Sequence, residues 1–364
     1  MIENKSTRLK VLDGFRAIAV LGVLWAHIWM FFGNPSFLVF KIDVAKIVSF
    51  FGTGVDLFFV ISGFCMYLMY KSKSSFMSFN YYVNYVKKRW FRIAPAFYIA
   101  IIVYGFFQTV LTSENFNWPY AFKSALFIRN LFPEETAFAP HFWSLGTEWH
   151  FYLVLPLILI GIESFSFPKF APILVLFCLL VRILLLQSFE DFYNIIDYSI
   201  LNRLIEFLVG IIAAYFFLEK IKFYLFNSWF GLSVGVSIAF LGRFCMSRQM
   251  QDAPHLIGFL AKSFDLPLLT LGMGIIILNS LNKSSWLTKF LESKIMNRIG
   301  KYSYSMYLWH WLIAGSLSAF WINHFPSDPF VMTNIVFIIS LVILYPLSSL
   351  SFALFESQYF KRQK

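Results

Sequence analysis

Ten apolar stretches, each long enough to cross roughly 30 Å of hydrocarbon, dominate this 364-residue sequence. They fall at about 11–32, 48–70, 92–112, 143–161, 171–188, 200–218, 229–245, 265–281, 302–322 and 331–354. A soluble fold would have to hide all ten at once. With 59% hydrophobic and 13% charged residues, and a mean hydropathy of +0.68, the chain has too little polar surface to cover them. Its 47 Phe and 11 Trp suit helices wetted by lipid and anchored among headgroups. The expected fold is all-α, a polytopic membrane helical bundle of about ten transmembrane helices. No low-complexity tract, fixed-period repeat or Pro/Gly/Ser linker divides the chain, so residues 1–364 read as a single transmembrane domain with no separate soluble domain. The run after Lys5, Arg8 and Lys10 lacks a small-residue cleavage site and reads as a retained first helix.

Sidedness follows from the basic residues, which cytoplasmic segments retain. Loops on one side hold twenty Lys and Arg: Lys5, Arg8, Lys10; Lys71, Lys73, Lys87, Lys88, Arg89, Arg92; Lys169; Lys220, Lys222; Lys283, Lys289, Lys294, Arg298, Lys301; Lys361, Arg362 and Lys364. Opposite loops hold seven: Lys41, Lys46, Lys123, Arg129, Arg243, Arg248 and Lys262. The alternation predicts an even number of spans with both termini cytoplasmic, in a multi-pass protein of a bacterial inner membrane. The net charge of +11 is spread through these loops rather than along one polar face, which argues against nucleic acid as a partner. Cys65, Cys178 and Cys245 lie in apolar segments at unrelated spacings and offer neither a disulfide framework nor a metal site.

Ionisable residues inside apolar spans cost a few kcal/mol each and mark function or a buried partner. In the first span Arg16 and His27 are eleven positions apart. That returns them to one helix face about 16 Å apart along the axis. Asp13 is placed to pair with Arg16 at i, i+3. The bland alternative is a snorkelling arginine and a hydrogen-bonded interior histidine. At the cytoplasmic mouth of the third span, Lys87, Lys88, Arg89 and Arg92 cluster, with Arg89 and Arg92 on one face. The positive-inside rule explains the lysines; paired guanidinium groups suit a phosphorylated ligand.

On the outer side, Glu148 sits among Trp143, Trp149, Phe151 and Tyr152 and calls for a partner. His141 and His150 read as interface histidines, solvated or capping. Arg203 and Glu206 form an i, i+3 pair that is equally consistent with a structural role. His310 lies on an aromatic face, where hydrogen bonding to a neighbour is the plain reading. Asp56 and Arg182 are buried charges without an evident partner, and Gly231 with Gly235 reads as ordinary close packing.

Six segments together resemble the acyltransferase 3 family, which includes membrane O-antigen and polysaccharide O-acetyltransferases. They are Arg16-x10-His27, GVDLFFVISGF at 54–64, the Arg-x-x-Arg followed by IAP at 89–95, FWSLGTEWHFYLVLP at 142–156, RLIEFLVG at 203–210 and SYSMYLWH at 303–310. They run in family order over nearly the whole chain. Where the family commonly has Val-Glu-x-Gln-Phe-Tyr, this chain keeps the acid and carries His150 at the Gln position. The resemblance is to the stand-alone membrane form, without the further C-terminal domain of many relatives.

The resemblance implies acyl-CoA, usually acetyl-CoA, as donor and no metal. The acceptor would be a hydroxyl of a carbohydrate, lipid-linked or at the cell surface. Arg16, Arg89, Arg92 and Lys88 would then meet the CoA phosphates, and His27 would meet the thioester as general base or as transient acyl carrier, with Glu148 orienting it or taking the proton. Asp13, Asp56, Trp143, Tyr152, Arg203, Glu206 and His310 complete the candidate site. Trp118, Tyr120 and Phe122 of the outer loop would offer stacking rings for a sugar. Two other readings use the same features: a transporter or flippase for lipid-linked glycans, and an acyltransferase acting on a small cytoplasmic hydroxyl compound. Against the former stands the lack of repeat symmetry and of matched Gly/Pro-broken spans.

Overall fold

A computed structural model describes residues 9–39, 42–43, 48, 50–71, 79–112, 115–132, 138–188, 197–221, 228–253, 255–282, 285–325 and 328–357. Among the basic residues used for sidedness, Lys5, Arg8, Lys41, Lys46, Lys73, Lys222, Lys283, Lys361, Arg362 and Lys364 lie outside the described residues. The described chain is helical apart from loops and one two-residue antiparallel ladder, β1 (Leu38–Val39) with β2 (Ile42–Asp43).

The helices are α1 (Lys10–Phe31), α2 (Gly54–Lys71), α3 (Phe79–Thr112), α4 (Trp118–Ala125), α5 (Trp143–Phe165), α6 (Phe167–Ser188) and α7 (Ile200–Leu218). They continue as α8 (Trp229–Cys245), α9 (Arg248–Gln251), α10 (His255–Asn282), α11 (Trp286–Leu291), α12 (Lys294–Lys301), α13 (Ser303–His324) and α14 (Pro329–Ser351), which runs into a π-helical turn at Phe352–Glu356. The described residues of the ten expected segments are largely helical, with a turn at Gly52 and Thr53 interrupting the second. Among the described residues, eight helices are long and apolar enough to span a membrane. The 17-residue α8 is shorter, and α13 has the length but carries His310 and four serines within it. Two helices start well before their apolar cores. α3 begins at Phe79, so Arg89 and Arg92 sit within the helix rather than at its mouth, and α10 begins at His255. Hydropathy marks the greasy centre of a helix and misses polar turns that extend it.

Large apolar side chains such as Phe106, Leu157, Leu176, Leu184, Ile338 and Val342 face outward. Water would penalise such a surface, whereas lipid does not. α6 is peripheral, with 11% of its apolar window buried, whereas α1 is enclosed, with 67%. α1 packs against α2, α12 and α13. Small residues permit the closest crossings. A Cβ added at Gly63 would overlap the Phe207 carbonyl, and one at Gly210 would overlap that of Val60, so α2 and α7 touch backbone to backbone. Gly235, Gly242 and Gly272 serve the α8–α10 crossing in the same way. The packing expected of the Gly231-x-x-x-Gly235 pair is therefore realised at Gly235, against Ile275, Ile276 and Gly272.

Candidate active site

A cavity of about 670 Å³ opens between α1, α2, α3, α5 and the start of α13. Of the residues singled out in the sequence, it brings together Asp13, Arg16, Arg89, Arg92, Glu148 and Tyr152. Arg16 is pinned from two sides. Nη1 donates to Asp13 Oδ1 at 2.8 Å, and Nη2 donates to Cys65 Sγ at 3.1 Å. Asp13 is 1% exposed, so the pair is a fixture of the wall rather than a surface ion pair. Arg89 is also buried. It donates to Met69 Sδ at 2.8 Å and lies over the rings of Tyr85 and Tyr152, which hold its guanidinium in place. Arg92 and Lys301 add positive charge to the lining of the same cavity. Lys88 is exposed and does not line it.

Glu148, one helical turn before Tyr152 on α5, has the partners its aromatic surroundings required. The Tyr152 hydroxyl donates to Oε1 at 2.5 Å and Ser62 Oγ donates to the same oxygen at 3.1 Å. Both donors line the cavity. Ser144 and Tyr307, whose hydroxyls are 2.7 Å apart, also line the cavity.

His27 is not in the cavity wall and does not touch Glu148. It meets His310 across the α1–α13 contact, with His27 Nδ1 and His310 Nε2 separated by 2.8 Å and the rings stacked at 5.0 Å. His141 completes a trio, its ring packed on that of His310 at 4.8 Å. The interface reading of His141 is corrected here: the residue is 3% exposed, because the 3-10 turn Pro140–Phe142 tucks it under α13, where Nε2 faces the Leu308 carbonyl at 3.3 Å. His150 is half-buried beside Asn130, 3.3 Å from its Nδ2. Tyr120 is likewise removed from the stacking rings. It is fully buried, burial pushes its hydroxyl up to about 12, and it donates to the Ala139 carbonyl at 2.5 Å. Trp118 and Phe122 remain exposed.

Arg203, Asp56, Glu206, Arg182 and Asp265 form a second buried network with Asp197, and none of them lines the cavity. Arg203 Nη1 reaches Asp56 Oδ1 at 2.8 Å and Glu206 Oε1 at 3.2 Å, and Nη2 reaches Asp197 Oδ2 at 3.1 Å. Trp143 lies 5.1 Å from the guanidinium as a cation–π partner. Arg182, which had no partner in the sequence reading, pairs with Asp265 at 2.5 Å and reaches Asn202, which in turn donates to Asp197. Sequence reasoning missed Asp197, Asp265, Ser62, Tyr307 and Cys65. Asp265 was detectable as an acid inside an apolar run; the others carry no signal until the helices are packed.

The family model described as an acyltransferase domain matches residues 9–351. The protein named "Putative O-acetyltransferase" of Staphylococcus aureus strain COL is 27% identical over 384 aligned positions, covering 96% of this chain and 57% of that protein. O-acetyltransferase OatA of S. aureus strain NCTC 8325 is 27% identical over 348 positions, covering 86% of this chain and 51% of OatA. The chain thus spans about half the length of the curated relatives it matches. No solved structure matches it significantly. The six motifs, the apolar helices and the family match over residues 9–351 lead to one conclusion: this chain belongs to the acyltransferase 3 family.

Proposed function

We propose that the protein is a membrane-embedded O-acyltransferase, most simply an O-acetyltransferase, that takes an acyl group from cytoplasmic acyl-CoA and places it on a hydroxyl of a lipid-linked or cell-surface carbohydrate. The observation that carries this reading is the lining of the cavity, where Arg16, Arg89, Arg92 and Lys301 stand together with Glu148. Guanidinium groups held by buried partners suit the phosphates of a CoA headgroup. By the positive-inside rule these basic residues would face the cytoplasm, where CoA is found. The pantetheine arm would then lie along α1 and bring the thioester toward Tyr307, which lines the cavity. The Tyr307 backbone carbonyl faces His310 Nδ1 at 2.5 Å, so the histidine pair stands just behind that wall.

The chemistry is acyl exchange. The acceptor oxygen attacks the thioester carbonyl, the C–O bond forms, and the C–S bond breaks. The proton leaves the hydroxyl for a base and ends on the CoA thiol. His27 is the base in this reading, with transient acyl transfer to its imidazole as the second route. Glu148, whose Oε1 accepts from Tyr152 and Ser62, is the group placed to take the acceptor's proton within the cavity. The residues named belong to one transmembrane domain, residues 1–364. The test is His27→Ala in membranes holding an unchanged amount of protein, with acyl incorporation into surface polysaccharide as the readout. Loss of incorporation is expected. Wild-type incorporation would sink the catalytic role, and failure of CoA to protect purified protein against thermal unfolding would favour a flippase.

A further inference from the structure

Within that acyl-transfer reading, we infer that His310 is a positioning residue: it locks the neighbouring His27 in the tautomer that protonates Nδ1 and leaves Nε2 as the basic atom.

A backbone carbonyl only accepts hydrogen bonds. His310 Nδ1 lies 2.5 Å from the Tyr307 carbonyl, one turn back on its own helix, so this nitrogen carries the hydrogen. A neutral imidazole has one N–H, which leaves His310 Nε2 as an acceptor. His27 Nδ1 is 2.8 Å from that acceptor and therefore donates to it. The remaining ring nitrogen of His27, Nε2, must then hold its lone pair. It has no hydrogen-bond partner among the described residues, and His27 is half-buried while His310 is wholly buried. The free lone pair is thus on the accessible ring.

The surroundings hold this arrangement without a carboxylate. Among the described residues no Asp or Glu hydrogen-bonds to His27, His310 or His141, so the orienting group that a catalytic histidine needs is supplied by a second imidazole. The Tyr104 hydroxyl donates to the Leu308 carbonyl at 2.9 Å and accepts from the Leu312 amide at 3.0 Å, bracing the α13 backbone on both sides of His310. Trp311 meets the His27 ring edge-on at 5.0 Å and limits its rotation. His141 donates through Nε2 to the same Leu308 carbonyl, which leaves its Nδ1 a buried, unpartnered acceptor facing no donor among the described residues. His141 therefore packs the pair but does not compete for the His27 proton.

Nitrogen-15 NMR of the histidine-labelled full chain in lipid vesicles reads the tautomer without any assay of activity, with His27→Ala and His310→Leu used to assign signals. A His27 Nδ1–H form with a bare Nε2 is expected, and loss of that preference in His310→Leu; a His27 Nε2–H form in the unaltered protein would overturn the inference. Kinetics give the second readout. His310→Leu should lower kcat roughly 100-fold with the donor KM within about twofold, the size expected for losing an orienting partner of a general base. His310→Gln, whose amide oxygen still accepts from His27 Nδ1, should recover about tenfold of that loss by the same reasoning. Equal activity in the Leu and Gln variants would overturn the inference. If His27→Ala keeps full activity while the tautomer is as stated, the acyl-transfer role of His27 fails and the tautomer assignment stands.

Discussion

The Tyr152 hydroxyl stands 2.5 Å from Glu148 Oε1, one helical turn away, and Ser62 from α2 donates to the same oxygen. Two donors on one carboxylate oxygen fix its direction inside a cavity otherwise dominated by guanidinium groups. Removing a hydrogen bond to a charged group costs about 1.5–3 kcal/mol, which corresponds to roughly 10- to 100-fold in rate if the interaction is used in the transition state. Tyr152→Phe is therefore expected to lower kcat by that amount, and Glu148→Ala by more, while both variants keep their detergent-extracted thermal stability. Tyr152→Phe turning over at the wild-type rate would show that the orientation of Glu148 is irrelevant to the chemistry.

Donor affinity should separate the basic residues by their place in the wall. Arg89 and Arg92 line the cavity, whereas Lys88, their immediate neighbour in sequence, is exposed outside it. Replacing either arginine with Ala should raise the KM for acyl-CoA by about tenfold or more, the value of one charge-assisted contact to phosphate. Lys88→Ala should stay within about twofold, since an exposed charge acts only through a screened field. Steady-state titration of the donor in proteoliposomes measures all three. A Lys88 effect as large as that of the arginines would mean that bulk charge, not the cavity wall, attracts the donor.

Much of this was legible before any coordinates, for a physical reason. A bilayer tolerates few spanning structures, so long apolar runs fix the fold class, and a charge inside such a run is conspicuous because it is costly. Arg16, Arg89, Arg92 and Glu148 were found this way and do share a cavity. What could not be read was which charge meets which. Helical periodicity puts Arg16 and His27 on one face of α1, yet the helix is enclosed, and different neighbours divide that face. Cys65 and the cavity take Arg16, whereas His310, 283 positions along the chain, takes His27. His141 was misread because a three-residue turn, rather than hydropathy, decides that it points inward. Lys88 was grouped with its arginine neighbours because proximity in sequence says nothing about the helix face.

Arg203 shows the limit from the other direction. The sequence offered only its i, i+3 pair with Glu206, but the packed bundle surrounds it with Asp56 from α2 and Asp197 from the segment before α7 as well. One cation serving three carboxylates, with Glu206 fully buried, makes the arginine the element on which the rest depends. Removing one partner of a buried ion pair typically costs about 3–5 kcal/mol, because the opposite charge is left uncompensated. Arg203→Ala should lose that much stability and lower the temperature at which the protein aggregates from detergent. Arg203→Ala combined with Asp56→Asn should recover part of the loss, since one of the stranded charges is then gone. Neither change touches the cavity wall, so any folded fraction should bind the acyl donor with unchanged affinity. A single variant as stable as the parent would mean that the three carboxylates do not need the arginine, and the network could not then be what ties α2 to α7.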